Sequence, residues 1–152
     1  MAIEVRGLTK VFETGRRRSR RRIEAVRDLS LDVATGERLA FLGPNGAGKS
    51  TSIKILTGIL HPTAGSASVL GFTPWEDRKR LAQRIGTLFG QRSMLWMELP
   101  PRQTYRMLGA IYGLDRAAEQ RRVAELGELL DAADLFDQPV RSLSLGQRMR
   151  CE

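Results

Sequence analysis

The stretch RLAFLGPNGAGKSTSIKILTGIL, residues 38–60, constrains the fold more than any other part of the chain. An apolar run suited to a strand, RLAFLG, leads directly into GPNGAGKST, and SIKILTGIL follows with Ile53, Leu56, Ile59 and Leu60 at helical spacing. Within it, Gly43-Pro44-Asn45-Gly46-Ala47-Gly48-Lys49-Ser50 matches G-x-x-x-x-G-K-[ST] at every specified position, with Thr51 next in line. The chemistry explains the residue types. Glycines let the backbone curl until successive N–H groups converge on one anion, and a side chain at Gly46 or Gly48 would obstruct that curl. The following helix adds its positive N-terminal end at the same spot. Lys49 is then expected to reach the β- and γ-phosphates of a nucleotide and the Ser50 hydroxyl to coordinate Mg²⁺. A dinucleotide fold of the G-x-G-x-x-G kind fits less well, because it would leave Lys49 and Ser50 without a role. The loop alone does not separate kinases, GTPases, helicases and transporters.

The chain on either side supplies the rest of an α/β pattern. Residues 2–12 and 23–33 alternate apolar and polar residues in part, with Val26, Leu29, Leu31 and Val33 the apolar members of the second run. ATGE at 34–37 is a turn, HPTAG at 61–65 breaks the helix, and SASVLG reads as a further short strand. From about residue 76 the pattern turns helical, interrupted by IGTLFG, an apolar run suited to a buried strand. A helix is expected after the prolines of LPPRQTYRMLGAIYGL. RAAEQRRVAELGELLDAADL is amphipathic, with Val123, Leu126, Leu129 and Leu130 on one face. The pattern is α/β, with only one or two parallel strands of a sheet expected.

Composition narrows the setting. At 152 residues one domain with a proper core is expected. No run of 18 apolar residues occurs, and the N-terminal MAIEVRGLTK alternates like a strand and lacks the apolar core of a signal peptide. A single cysteine, Cys151, excludes an internal disulfide and agrees with a reducing, cytoplasmic compartment. Much of the net charge of +8 sits in RRRSRRR, residues 16–22. That run suits either a solvated loop between two strands or a polyanionic neighbour, and no aromatic residues interleave to stack bases.

A second motif narrows the class further. LSLGQ, residues 143–147, resembles the LSGGQ signature of ATP-binding cassette (ABC) ATPases, and FGQRS at 89–93 resembles that family's Q-loop through Gln91. Phe12 in LTKVF is similar to the aromatic that stacks on adenine, and HPTAG to the family's turn after the first helix. FGQRSMLWMELP together with LSLGQRMRCE looks most like the ATPase subunits of bacterial drug or polysaccharide exporters. The resemblance implies an α/β fold with an incomplete phosphate-loop NTPase core, an N-terminal antiparallel β subdomain and an α-helical subdomain, dividing near residues 90 and 91. It also implies ATP and Mg²⁺ as cofactors, with residues 43–51 on the phosphates and Ser50 and Gln91 on the metal, Gln91 also positioning the attacking water. It implies that Ser144, Gly146 and Gln147 meet the nucleotide of an opposite subunit in a head-to-tail dimer. Leu145 departs from the signature, standing where its first glycine would be. The implied partners are transmembrane permease subunits and a second ATPase subunit, with no direct nucleic acid, at the cytoplasmic face of the membrane. A soluble ABC ATPase acting on nucleic acid or ribosomes is the alternative that the basic charge favours.

Other residues carry less. The cluster Met94, Leu95, Trp96, Met97 and Leu99 reads equally as subdomain core or as a pocket for a permease helix. His61, ten residues after the loop, reads as a helix-end or surface residue, and Cys151 as a small packed one. The family takes its hydrolytic carboxylates from a strand ending in Asp-Glu some way past the signature. The sequence ends at Glu152, five residues after Gln147, with no apolar run closing on Asp-Glu upstream. The expectation is therefore an N-terminal portion of such an ATPase, which alone binds ATP weakly at best and does not turn it over.

Overall fold

The computed structural model describes residues 1–15, 21–88 and 93–152. They form two compact units, Met1–Gly86 and Thr87–Glu152.

In the first unit, β1 (Ile3–Thr14) pairs antiparallel with β2 (Arg21–Val33) on one edge and with β3 (Ala64–Val69) on the other, in the order β2-β1-β3. The alternation along β1 is only partial because its register with β2 shifts between Val5 and Leu8, again before Lys10, and again before Val11. Each shift re-aims the side chains that follow it. One face of the sheet carries Val5, Leu8, Ala67 and Val69 into a core closed by Ile55, Leu56 and Leu81. Leu81 comes from a short helix, α2 (Arg78–Ala82).

The helix after the phosphate loop, α1, spans Lys49–Leu56 and stops a turn earlier than the apolar spacing suggests. Gly58 stands at φ +74°, and a Cβ there would lie 2.3 Å from the carbonyl oxygen of Pro74. This places Ile59 beyond the helix, and the buried face is Ser52, Ile55 and Leu56. Ile53 is 48% exposed, since two residues along a helix turn the side chain by about 200° to the side away from Ile55.

Two expected strands are not formed. RLAFLG has no strand pairing, and Leu39 and Leu42 are 49% and 89% exposed. IGTLFG has none over Ile85–Leu88, and its last two residues lie outside those described. A strand exists through its neighbours' hydrogen bonds, and no described strand pairs with RLAFLG or with residues 85–88. The sheet that is present is wholly antiparallel.

The second unit is helical: α3 (Pro101–Ile111), α4 (Arg116–Leu129) and α5 (Leu145–Cys151), with single 3₁₀ turns at Ala133–Leu135 and Val140–Ser142. Pro101 opens α3, where its missing N–H costs nothing. The Asp115 carboxylate accepts from the Ala118 amide at 2.8 Å and caps α4. The core joins Leu95, Ala132, Leu135, Phe136, Val140, Leu143 and Cys151. At its centre Tyr105 meets Phe136 edge to face, with centroids 5.2 Å apart. The face expected on α4 is only half right: Val123 and Leu126 are half-buried, but Leu129 and Leu130 are 76% and 45% exposed. The place they would take is filled by Phe136, whose ring lies 2.7 Å from where a Cβ on Gly127 would be. Phe136→Ala should therefore destabilise this unit by about 3–5 kcal/mol, whereas Leu129→Ser should stay within about 0.5 kcal/mol. Urea unfolding followed through tryptophan fluorescence measures both.

Candidate functional site

The phosphate loop runs from the unpaired segment at 38–42 into α1. Ala47 N–H donates to the Pro44 carbonyl at 3.3 Å, which tightens the loop into a turn. Gly46 and Gly48 stand at φ +88° and +85°, a region that side chains resist. Gly48 is also the N-cap of α1, and a Cβ on it would lie 2.2 Å from the carbonyl oxygen of Ala25 in β2. The loop is thus pressed directly against a strand backbone, a contact only glycine permits. None of the amides of Gly46, Gly48, Lys49, Ser50 and Thr51 donates to a described group. Those of the first helical turn have no intrahelical acceptor by construction. Lys49 Nζ folds across the loop and donates to the carbonyls of Gly43 and Pro44 at 2.6 and 2.7 Å. A ring of unspent amides around one ammonium suits a chain of phosphates, and the residues fit that group.

Beside the loop lies a cleft of about 360 Å³, lined by residues 45–51 and by Ile23, Glu24 and Ala25 of β2. The contribution of β2 was not legible from the loop motif; its signal is the hairpin register. Phe12 pairs directly with Ile23, so their side chains share a face, and Ile23, 53% exposed, lines the cleft. Phe12 itself is half-buried and does not line it. Lys10 Nζ sits 5.1 Å from the Phe12 ring centroid, a cation–π contact that sequence reading missed. The Ser50 hydroxyl is exposed and donates to no described group. Among the described residues no group of three or more His, Cys, Asp and Glu could hold a metal ion. Gln91, with most of FGQRS, and residues 16–20 of the arginine run lie outside the described residues.

In the second unit the signature opens α5. Ser144 is its N-cap: the Ser144 hydroxyl accepts from the Gln147 amide at 3.3 Å, and the Gln147 side-chain oxygen accepts from the Ser144 amide at 2.8 Å. This reciprocal capping box satisfies two donors of the helix start. It also occupies the Gln147 side-chain oxygen within its own subunit. The Ser144 hydroxyl donates to no described group. Nothing stands within 4 Å of a Cβ built on Gly146, and Leu145 is 73% exposed, so the departure from the signature projects into solvent without a clash.

The apolar cluster after Gln91 divides. Leu95 is core at 5% exposure, while Met94, Trp96 and Met97 are 49%, 52% and 40% exposed. His61 is exposed and Cys151 is buried, its thiol pushed up from the ordinary value by that burial. No helix among the described residues is long and apolar enough to cross a membrane.

Comparison with known proteins agrees with this geometry. The family described as "ABC transporter" matches residues 26–152. The ABC transporter ATP-binding protein NatA of Bacillus subtilis is 33% identical over 128 residues, covering 84% of this chain and 52% of NatA. The doxorubicin resistance ATP-binding protein DrrA of Mycobacterium tuberculosis is 32% identical over 152 residues, covering this whole chain and 44% of DrrA. The chain thus spans about half the length of these relatives. A solved dimeric ATP-binding cassette in a post-hydrolysis state, bound to ADP and Pi, superposes with a TM-score of 0.76 at 22% identity. It covers 98% of this chain and 66% of the solved one, and shows the phosphate-loop cassette fold.

The contact of Gly48 with Ala25 generates a graded expectation. Gly48→Ala should weaken binding of a fluorescent ATP analogue by more than about tenfold, since it adds a backbone collision to the conformational strain. Gly46→Ala adds strain alone, about 1–2 kcal/mol, and should cost less. Titration of both variants by fluorescence anisotropy gives the order.

Proposed function

This chain belongs to the ABC transporter family, and from that premise we propose that it grips ATP within an ATPase subunit that drives export across a membrane. The observation that carries the reading is the ring of unspent loop amides around Lys49. On ATP binding, Lys49 exchanges its two carbonyl partners for β- and γ-phosphate oxygens. Residues 43–51 wrap the phosphates, Ser50 holds Mg²⁺ through its hydroxyl, and Phe12 offers its ring to the base. Bound Mg²⁺ supplies charge neutralisation on the phosphates.

The site is completed by a second subunit. Ser144 and Gly146 present a hydroxyl hydrogen and an exposed amide at the start of α5. These suit the phosphates of a nucleotide held by the facing subunit's loop, in a head-to-tail pair. Gln147 holds the cap through its side-chain oxygen, and its side-chain NH₂ is left to donate to the same nucleotide. Gln91 is the water- and metal-positioning residue of this reading. Exposed Met94, Trp96 and Met97 form the surface for a permease at the cytoplasmic face of the membrane. Similarity to a doxorubicin resistance protein supports export as the direction.

Residues 1–152 hold no apolar strand closing on Asp-Glu, and phosphoryl transfer needs a metal-holding carboxylate and a water-positioning group. The chain 1–152 should accordingly bind ATP with an affinity that Lys49→Ala lowers by about a hundredfold or more, by loss of a charged contact, and should release no phosphate above the Lys49→Ala background. Isothermal titration and a phosphate-release assay measure the two arms. Unchanged affinity in Lys49→Ala would overturn the assignment of the loop, and turnover that the substitution abolishes would overturn the division of labour.

A further inference from the structure

The signature helix is held at both ends by one segment of chain. Leading into α5, the Val140 and Arg141 amides donate to the carbonyls of Leu99 and Met97 at 3.2 and 2.8 Å. Arg141 also pairs with Glu98 at 2.7 Å. At the far end the carboxylate of Glu152 returns to the same segment. It accepts from the Ser93 hydroxyl and from the Met94 amide, at 3.0 Å to one oxygen and 3.2 Å to the other, while the Leu95 amide lies nearer the Ser93 hydroxyl oxygen, at 3.2 Å, than the carboxylate, at 3.5 Å. Residues 93–99 thus bracket residues 140–152, and exposed Met94, Trp96 and Met97 lie within the bracket.

The two ties differ in kind. The one at 97–99 is backbone to backbone and would survive most substitutions, with the Arg141 pair exposed on both partners. The one at 93–95 depends on a single side chain, because Glu152 alone accepts the Met94 amide. Tyr105, donating to the Cys151 carbonyl at 2.7 Å, and Arg150, donating to Leu130 and Asp131, anchor the same end of α5 to other elements. Neither reaches residues 93–99.

We propose that Glu152 is a positioning residue: its carboxylate locks the signature helix to the 93–97 surface, so that a partner docked there sets the position of Ser144. The inference rests on the roles given above to Ser144 and to Met94, Trp96 and Met97, and it adds the link between them. Segment 93–99 begins two residues past Gln91, so the same carboxylate ties the exit of the Q-loop to the signature.

Coupling of this kind is reciprocal, and residue-resolved amide exchange on the chain 1–152, without nucleotide or partner, tests it. Glu152→Ala should speed exchange of the Met94 amide by about tenfold or more, the effect of removing its charged acceptor. Glu152→Gln, which keeps one acceptor oxygen, should restore most of the protection. The distinguishing readout is at a distance: Ser144→Ala, which removes the cap, should speed exchange at Met94 as well as at Gln147. That remote effect should vanish in the Glu152→Ala background. Remote effects that are missing, or that persist without Glu152, overturn the proposal. Should Glu152→Ala fail to fold, Ser144→Ala alone decides it: an unchanged Met94 amide overturns the proposal. None of these outcomes depends on ATP binding, so the proposal can fail while the phosphate-loop reading stands.

Discussion

The approach of the Ala25 carbonyl to Gly48 is the contact on which the first unit's site depends. It fixes where the loop can lie relative to β2, and through the pairing of Phe12 with Ile23 it fixes where β1 lies too. A loop is only as well placed as the element it touches, and this one touches backbone rather than a movable side chain. The sheet beneath it is anchored by Val5, Leu8 and Ile55, all fully buried, each contributing about 1.5–3 kcal/mol through removal of apolar surface from water. Salt bridges contribute less: Arg6 meets Asp32 with two bonds across β1 and β2, but both side chains are exposed.

What could be read from residues alone follows from how local each feature is. The phosphate loop, the two long strands and the prolines of α3 are specified by neighbours in sequence, and they stand where the patterns put them. LSLGQ was legible as a helix start, and Ser144 with Gln147 carries the spacing of a capping box. RLAFLG and IGTLFG were misread because a strand is a property of a pair, and apolar content says nothing about whether the other member is beside it. Leu129 and Leu130 were misplaced for a related reason. Gly127 left a gap on α4, and Phe136, from a turn beyond the helix, fills it. The bond from Glu152 to Met94 crosses 58 residues, and no short-range pattern announces it.

In the second unit α5 is held by its capping box at the start, and Tyr105, Asp131 and residues 93–95 meet it around residues 150–152. This division leaves the signature face bare. Ser144, Leu145 and Gly146 are exposed because the restraints that hold the helix are spent elsewhere, on Cys151, Arg150 and Glu152.

The position of Lys49 has a consequence for which anions the loop can select. Its ammonium already has two carbonyl oxygens at short range, so an incoming ligand must displace bonds rather than meet a bare charge. A single phosphate offers little beyond what the lysine gives up, and chloride or sulfate offers less. A chain of phosphates long enough to reach the ammonium while its other oxygens take the loop amides gains on both counts. In the proposed ATP-binding role, the folded lysine would act as a length filter, favouring a longer phosphate chain over a shorter one before any base or metal is considered.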